Sequence, residues 1–290
     1  MKEMMAVFQK ELADHFNSWR FIILFAIVFA VGVIAIYFDA QFIRQAVTET
    51  RFVFLQLYTT SGQSLPLFIL IIVFLVPIVG IVLGFDAINS EKSSGTLSRL
   101  LSQPIFRDSV INGKFLAGIV TIAIMVVAIV MLVAGLGLRM IGVPPSSEEV
   151  IRLMAFLAIS IIYGGFWLGL AILFSLLSQR VATSAMASIA VWIFCIFLFL
   201  FPLFVDLGQF GFIVMQVSPL LLFWQVITIL LIPNALGQVI QSAGGLPTSA
   251  LSLGQSLLTV WPHLVSLIAL TVICFAISYI KFMREEIRST

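Results

Sequence analysis

The chain has 290 residues, of which 61% are hydrophobic and only 10% charged, with a formal net charge of +2. A soluble core of this size does not need so much apolar surface, so the composition points to an integral membrane protein. The small net charge leaves no broad basic face for nucleic acid, and that partner class is excluded. The two cysteines, Cys195 and Cys274, lie within apolar runs and lack metal-binding spacing, so they read as small core residues.

In chain order, residues 1–20 form an amphipathic helix. Met5, Phe8, Leu12, Phe16 and Trp19 recur at three- and four-residue steps, opposite Glu3, Lys10, Asp14 and Asn17. This helix is expected to lie in the inner membrane interface, with Trp19 and Arg20 at headgroup depth and His15 solvated or facing headgroups. No cleavable signal is expected, because this stretch is too polar for a signal core.

Six segments are long and apolar enough to cross a hydrocarbon core of about 30 Å: 21–38, 65–85, 115–138, 153–177, 184–204 and 257–279. Residues 39–64 form an outer loop with a surface helix. Residues 205–256 form a second outer loop in which 211–232, interrupted by Ser218-Pro219, is re-entrant or interfacial. With six spans, about eleven basic residues fall on the inner side, against Arg44, Arg51, Arg139 and Arg152 outside, as the positive-inside rule favours. Both termini are therefore expected in the cytoplasm. There is no internal repeat and no soluble domain. The fold class is an all-α integral membrane protein with six transmembrane helices, an N-terminal interfacial helix and a cytoplasmic coupling helix.

The spans themselves carry little chemistry. Their middles hold no Asp, Glu, Lys or Arg, which disfavours an ion-coupled carrier. No GxxxxGK[ST] loop is present, so any ATP hydrolysis belongs to another chain. His263 follows Pro262 at the start of the last span without an acid partner in sequence, so it reads as an interface anchor before it reads as the centre of a lipid-acting enzyme. Gly80-x-x-x-Gly84 and Gly165-x-x-x-Gly169 permit close helix approach. Pro77 removes a backbone hydrogen bond in the second span; it marks either a cavity-lining kink or ordinary packing.

The segment 87–107 between the second and third spans is a polar island. Ser93 or Ser94 can cap a helix, Leu97, Leu100 and Leu101 share one face, and Pro104 ends the run. Glu91, Lys92, Arg99 and Arg107 surround that leucine stripe. An apolar anchor with a charged rim suits docking to a protein, and it equally suits an amphipathic loop resting on lipid.

Resemblance decides between these. The block Glu91-Lys92-Ser93-Ser94-Gly95-Thr96-Leu97, with Leu100-Leu101-Ser102-Gln103-Pro104, Arg107 and Gly113-Lys114-Phe115-Leu116, closely resembles the signature of the type-2 ABC export permeases. Lys10-Glu11-Leu12 in the first helix and Ser218-Pro219-Leu220 in the outer segment look like the same family. Val76-Pro77-Ile78-Val79-Gly80 looks nearest to the permeases of nitrous-oxide reductase maturation.

The resemblance implies a permease subunit in the inner membrane that pairs with a second permease and binds cytoplasmic ABC ATPase subunits. Those subunits would bind ATP and Mg, and this chain would hold no cofactor. The second and fifth spans would line the permease pair, and the cargo would be amphiphilic, lipid-linked or a peptide. The alternative is a maturation factor acting on a periplasmic protein. In this reading Leu97, Leu100 and Leu101 seat the coupling helix, Glu91, Arg99 and Arg107 orient it, and Gly95 allows its tight start.

Overall fold

The computed structural model describes residues 2–45, 54–59, 67–96, 106–201, 217–232 and 251–284. Among these residues the secondary structure is helical, with no strand. The elements are α1 (Lys2–Asn17), α2 (Trp19–Gln45), α3 (Gln56–Thr59), α4 (Leu67–Gly84), α5 (Asn89–Ser93), α6 (Arg107–Ile141), α7 (Ser147–Leu177), α8 (Val181–Leu200), α9 (Pro219–Leu231) and α10 (Leu253–Arg284). Six of these, α2, α4, α6, α7, α8 and α10, are long and apolar enough to cross a membrane. They are joined by alternating connections, so α1, α5 and the last turns of α10 share one end of the bundle. We call it the near end and the opposite one the far end.

The organising element is α7, which packs against α4, α6, α8, α9 and α10. Lipid is as apolar as these side chains, so close packing and satisfied polar groups must hold the helices together. The α4–α7 contact supplies both. A Cβ placed on Gly80 would come within 2.8 Å of the Gly164 carbonyl oxygen, and one on Gly84 within 2.8 Å of the Ala171 Cβ. Both glycines therefore set α4 directly on the backbone of α7. The facing glycine of α7 is Gly164. Gly165 instead abuts Ile119 of α6, at 2.9 Å from its added Cβ, while Gly169 faces Phe115 and α10 at ordinary contact distances.

Pro77 sits inside α4 and has no N–H to give to the Val73 carbonyl four residues earlier. The hydroxyl of Tyr163 on α7 fills that vacancy, donating to Val73 O at 3.0 Å. The Tyr163 ring in turn stacks on Phe223 of α9, with centroids 3.9 Å apart. One fully buried tyrosine thus repairs a proline break and joins three helices.

Two elements of the far end depart from a simple helix-and-loop reading. The expected surface helix in residues 39–64 is, where described, a continuation of α2 to Gln45 followed by the short α3. Around α3, Phe54, Leu55 and Tyr58 are buried, so this segment folds into the bundle and not onto its surface. Glu149 makes that possible. Its Oε1 accepts from the N–H groups of Phe54 and Leu55 at 2.9 and 3.1 Å, while Oε2 completes a capping box with Ser146 at the start of α7. Glu49 and Arg51 lie outside the described residues.

The second element is α9, within the 211–232 segment expected to be re-entrant or interfacial. Its 13 residues span about 20 Å, short of the roughly 30 Å of a bilayer core. It is buried against α4, α7, α8 and α10. Arg152, fully buried near the start of α7, holds this region together. It donates to the Leu230 carbonyl at 2.8 Å, the Leu251 carbonyl at 2.7 Å, the Ser256 hydroxyl at 3.2 Å and the Glu148 carboxylate at 2.9 Å. Leu230 O is one of the last carbonyls of α9, which the helix itself cannot satisfy.

Candidate functional site

The near end is where the polar island meets the bundle, and its local order begins at the end of α4. The N–H groups of Ile88 and Asn89 both donate to the Ser175 hydroxyl of α7, at 3.1 and 3.0 Å, anchoring α5 to the last turns of that helix. The chain then closes on itself. Ser93 and Ser94 donate to the carbonyls of Ser90 and Glu91, and the Ser94 and Thr96 hydroxyls lie 2.8 Å apart. Gly95 takes a φ of +70°, a left-handed conformation that is costly for residues with a Cβ. It marks the break between α5 and whatever follows. Lys92 and Thr96 are exposed beside it. Leu97, Arg99, Leu100, Leu101 and Pro104 lie outside the described residues. Arg107 opens α6, and the Phe106 N–H just before it donates to Glu3 of α1 at 3.3 Å.

The interfacial helix α1 packs along α6 through a face that hydropathy alone does not select. Val7 is buried, and Gly113 of α6 lets it approach, since a Cβ there would lie 2.9 Å from Val7. Glu11, one turn on, is also buried, and His15 lies on the same face with its Nδ1 3.1 Å from the Thr121 hydroxyl. His15 is therefore packed against α6, contrary to the expectation of a solvated side chain. Meanwhile Met5, Phe16 and Trp19 of the predicted apolar stripe are exposed, Trp19 by 77%. A helix that turns polar groups inward and apolar ones outward suits a lipid interface.

The inward polar groups form one ion-pair chain. Lys114 of α6, its side chain 4% exposed, lies 2.8 Å from Glu11 and 2.9 Å from Glu91. Lys10, half exposed, reaches the same two carboxylates at 3.0 and 3.4 Å and Asp14 at 3.7 Å. Glu91 of the polar island is thereby bound to both α1 and α6. Alongside, Arg20 at the start of α2 pairs with Asp86 after α4 and lies over the Phe85 ring at 5.5 Å.

These contacts shift the protonation of α1. Burial opposes the charge on Glu11, yet the Lys114 and Lys10 ammonium groups outweigh it and hold the carboxyl below its ordinary range. Burial likewise opposes the charge on Lys10, and Glu11 and Glu91 more than offset it, leaving its pKa raised. For His15 burial wins and pushes the imidazole down, against the pull of Glu11. The groups around it are Glu11, Lys114, Asp14 and Asp86.

Of the residues singled out in the sequence, Lys10, Glu11 and Glu91 converge, and Arg20 sits beside them. Phe16 and Trp19 do not; Phe16 pairs edge-to-face with Phe21, ring centroids 4.8 Å apart. Lys114 at the centre, Asp86 as the partner of Arg20, and Ser175 under α5 were missed as site residues. Lys114 and Asp86 carried the available signal, a charged residue within a turn of an apolar span.

The comparisons bear on this end of the molecule. The family model described as ABC-2 family transporter protein matches residues 5–287. The chain belongs to the ABC-2 transporter family. It is similar to a probable ABC transporter permease protein NosY of Pseudomonas aeruginosa, 28% identical over 242 residues that cover 81% of this chain and 80% of the relative. It is also similar to a protein of the same description from Stutzerimonas stutzeri, 27% identical over 272 residues, 89% of each. As an ABC-2 permease it is a multi-pass membrane transporter subunit, and membership implies an ABC ATPase partner. The block from Glu91 to Leu116 that carries the resemblance includes both Glu91 and Lys114, the two ends of the ion pair that ties the polar island to α6.

The exposed apolar surface of the spans is uneven. None of the residues 68–84 of α4 is exposed, whereas α8 presents Met186, Ile189, Ile193, Phe194 and Phe197 outward. The fifth span, α8, thus carries large exposed apolar side chains, while the second, α4, is half-buried to buried along 68–84.

Proposed function

We propose that this chain is the membrane permease of an ATP-driven exporter, and that separate cytoplasmic ATPase subunits dock at the near end on the segment from Glu91 to Arg107. The observation that carries this reading is the ion-pair chain from Glu91 through Lys114 to Glu11. A push on the docking segment is delivered to α6 and α1 together, because Glu91 is held to both, and to α7 through the Ser175 anchor. ATP and Mg belong to the partner subunits; this chain contributes the lever.

The near end would face the cytoplasm, with Lys2, Lys10, Arg20, Lys92, Arg107, Lys114, Arg180, Lys281 and Arg284 as its basic residues among those described. The cargo path would form between two copies. Inside one chain, the apolar cavity among Val28, Leu75, Val79, Met125 and Ile129 measures about 20 Å³, room for about one water molecule and far too little for a cargo. Apolar walls suit an amphiphilic, lipid-linked or peptide cargo. A second reading, in which the same ATP-driven motion acts on a protein at the far end with no cargo released, is favoured by Arg152. Its bonds tie α7, α9 and the start of α10 into one unit that could press on such a partner.

The test of docking is co-purification with the ATPase subunit after Leu100→Asp. The variant is expected to reach the membrane at the parent's level and to lose the ATPase. Retention of the ATPase at the parent's ratio would overturn the docking role.

A further inference from the structure

The docking segment leaves the second span through a broken helix. Phe68–Ser93 is one run of 26 residues, apolar enough to cross a membrane, yet α4 stops at Gly84 and α5 begins at Asn89. In an unbroken helix the N–H groups of Ile88 and Asn89 would donate to the carbonyls of Gly84 and Phe85, four residues back. Here both donate to the Ser175 hydroxyl of α7, at 3.1 and 3.0 Å, and the Gly84 carbonyl accepts from the Ala87 N–H at 3.2 Å instead. A side chain inserted into the ladder in this way kinks a helix. The ladder resumes just beyond, with the Ser90 N–H donating to Asp86 O and the Lys92 N–H to Ile88 O. The close approach of Gly84 to Ala171, one turn before Ser175, brings that hydroxyl to the break.

The broken seat is costly. Asn89 is fully buried, and neither its Nδ2 nor its Oδ1 has a hydrogen-bond partner. None of its surface admits a water-sized sphere, so no bound water meets them. Glu91 Oε2, on the same short helix, is likewise sealed off without a donor. Buried polar atoms left unmet are rare in folded proteins, because each costs the desolvation it never recovers. A small rotation separates this seat from a continuous helix. Ile88 lies at φ −113°, ψ −41°, so its ψ is already helical and its φ is about 50° from the helical value of about −63°.

We propose that residues 85–89 are a two-state hinge and that Ser175 is the residue that positions it. In the state described above, the hydroxyl holds both N–H groups and α5 moves with α7. In the other state those N–H groups return to the carbonyls of Gly84 and Phe85, α5 continues α4, and the Asn89 amide leaves its sealed seat. Two backbone hydrogen bonds are exchanged for two, so the balance is set by side chains. The unmet amide of Asn89 favours the continuous helix, and the ties of Glu91 to Lys10 and Lys114 favour the broken one. A push on the docking segment thus reaches α7 in one state and α4 in the other. Only the source of that push rests on near-end docking of an ATPase; the hinge belongs to the permease alone.

The test reads distances by pulsed electron paramagnetic resonance between spin labels at Ser93→Cys, on the exposed end of α5, and Gln179→Cys, on the exposed turn after α7, with Cys195 and Cys274 replaced by alanine. The purified permease is measured by itself in nanodiscs, so the outcome is separate from the Leu100→Asp co-purification. Ser175→Ala takes the acceptor from the broken state only. It is expected to raise a second population, at longer distance, roughly tenfold over the parent. Ser175→Thr keeps the hydroxyl and is expected to keep the parent's distances. Asn89→Leu retains the branched shape without the unmet amide; it is expected to raise the thermal midpoint and, added to Ser175→Ala, to restore the parent's distances. Unchanged distances in Ser175→Ala, no restoration in the double variant, or a lower midpoint in Asn89→Leu would overturn the hinge.

Discussion

Replacing Lys114 by methionine removes the cation that, among the described residues, is buried against Glu11 and Glu91, while keeping the shape of the side chain's stem. With 4% of the lysine side chain exposed and carboxylates at 2.8 and 2.9 Å, the loss of one partner from a buried ionic cluster would cost about 3–5 kcal/mol by itself. Lys10 remains, at 3.0 and 3.4 Å from the same carboxylates, though it is half exposed and contributes less through water. The expected net cost is therefore about 2–3 kcal/mol, enough to lower the thermal midpoint of the detergent-solubilised protein by several degrees. Glu91→Gln removes one of the two repelling carboxylates, so the double variant is expected to be less destabilised than the sum of the singles, with a coupling of about 0.5–3 kcal/mol. A thermal-shift assay of the four proteins in the cycle gives the answer. If Lys114→Met melts with the parent, or the cycle shows no coupling, the ion-pair chain is not what joins the polar island to α6.

Three further outcomes follow from the same structure. Tyr163→Phe leaves the Val73 carbonyl without its donor and is expected to cost about 1–3 kcal/mol; in a Pro77→Ala background, where residue 77 regains its N–H, the same change costs measurably less by thermal shift. Arg152→Met strips the carbonyls of Leu230 and Leu251 of a buried donor and is expected to cost about 3–5 kcal/mol, the largest loss of the set in the same assay. His15 binds its proton less readily folded than unfolded. As pH falls through the ordinary histidine value of 6.5, the unfolded chain takes up that proton first, so the folded state loses stability on acidification. The drop in melting temperature between pH 7.5 and pH 5.5 is expected to shrink in His15→Gln. Glu11, held low, keeps its stabilising charge through that window, and that stability is lost as pH falls below 4.5 toward its lowered folded value.

The helical skeleton was readable because the bilayer imposes it: apolar runs of the right length became α2, α4, α6, α7, α8 and α10. Hydropathy stops where charge begins, however, and helix does not. The third span was expected from Phe115, yet α6 begins at Arg107 and carries Asp108 and Lys114 on its first turns, because backbone hydrogen bonds continue past the edge of the apolar run. Long-range pairings were not readable. Glu11 and Lys114 are 103 positions apart, and Val73 and Tyr163 are 90 apart. Nothing local marks either pair, though Pro77 did announce that a carbonyl on the preceding turn would need a donor. The inward face of α1 was hidden for a related reason. In water its apolar stripe would be buried, whereas against lipid the stripe turns outward and Val7, Glu11 and His15 meet α6. The buried turn at Phe54–Tyr58 depended on Glu149, which in sequence looks like any surface acid at the start of a helix.

The central claim is that the near end, at the polar island, receives the ATPase. Site-directed cross-linking tests it most directly. Ser94→Cys places a thiol on the exposed turn before Gly95, and Gln255→Cys places one on the exposed start of α10 at the far end; the native Cys195 and Cys274 both lie within spans. With a short thiol-to-amine cross-linker in the intact complex, Ser94→Cys is expected to give a covalent adduct with the ATPase subunit and Gln255→Cys none. An adduct at Gln255, or none at Ser94 while the complex remains assembled, would contradict the account.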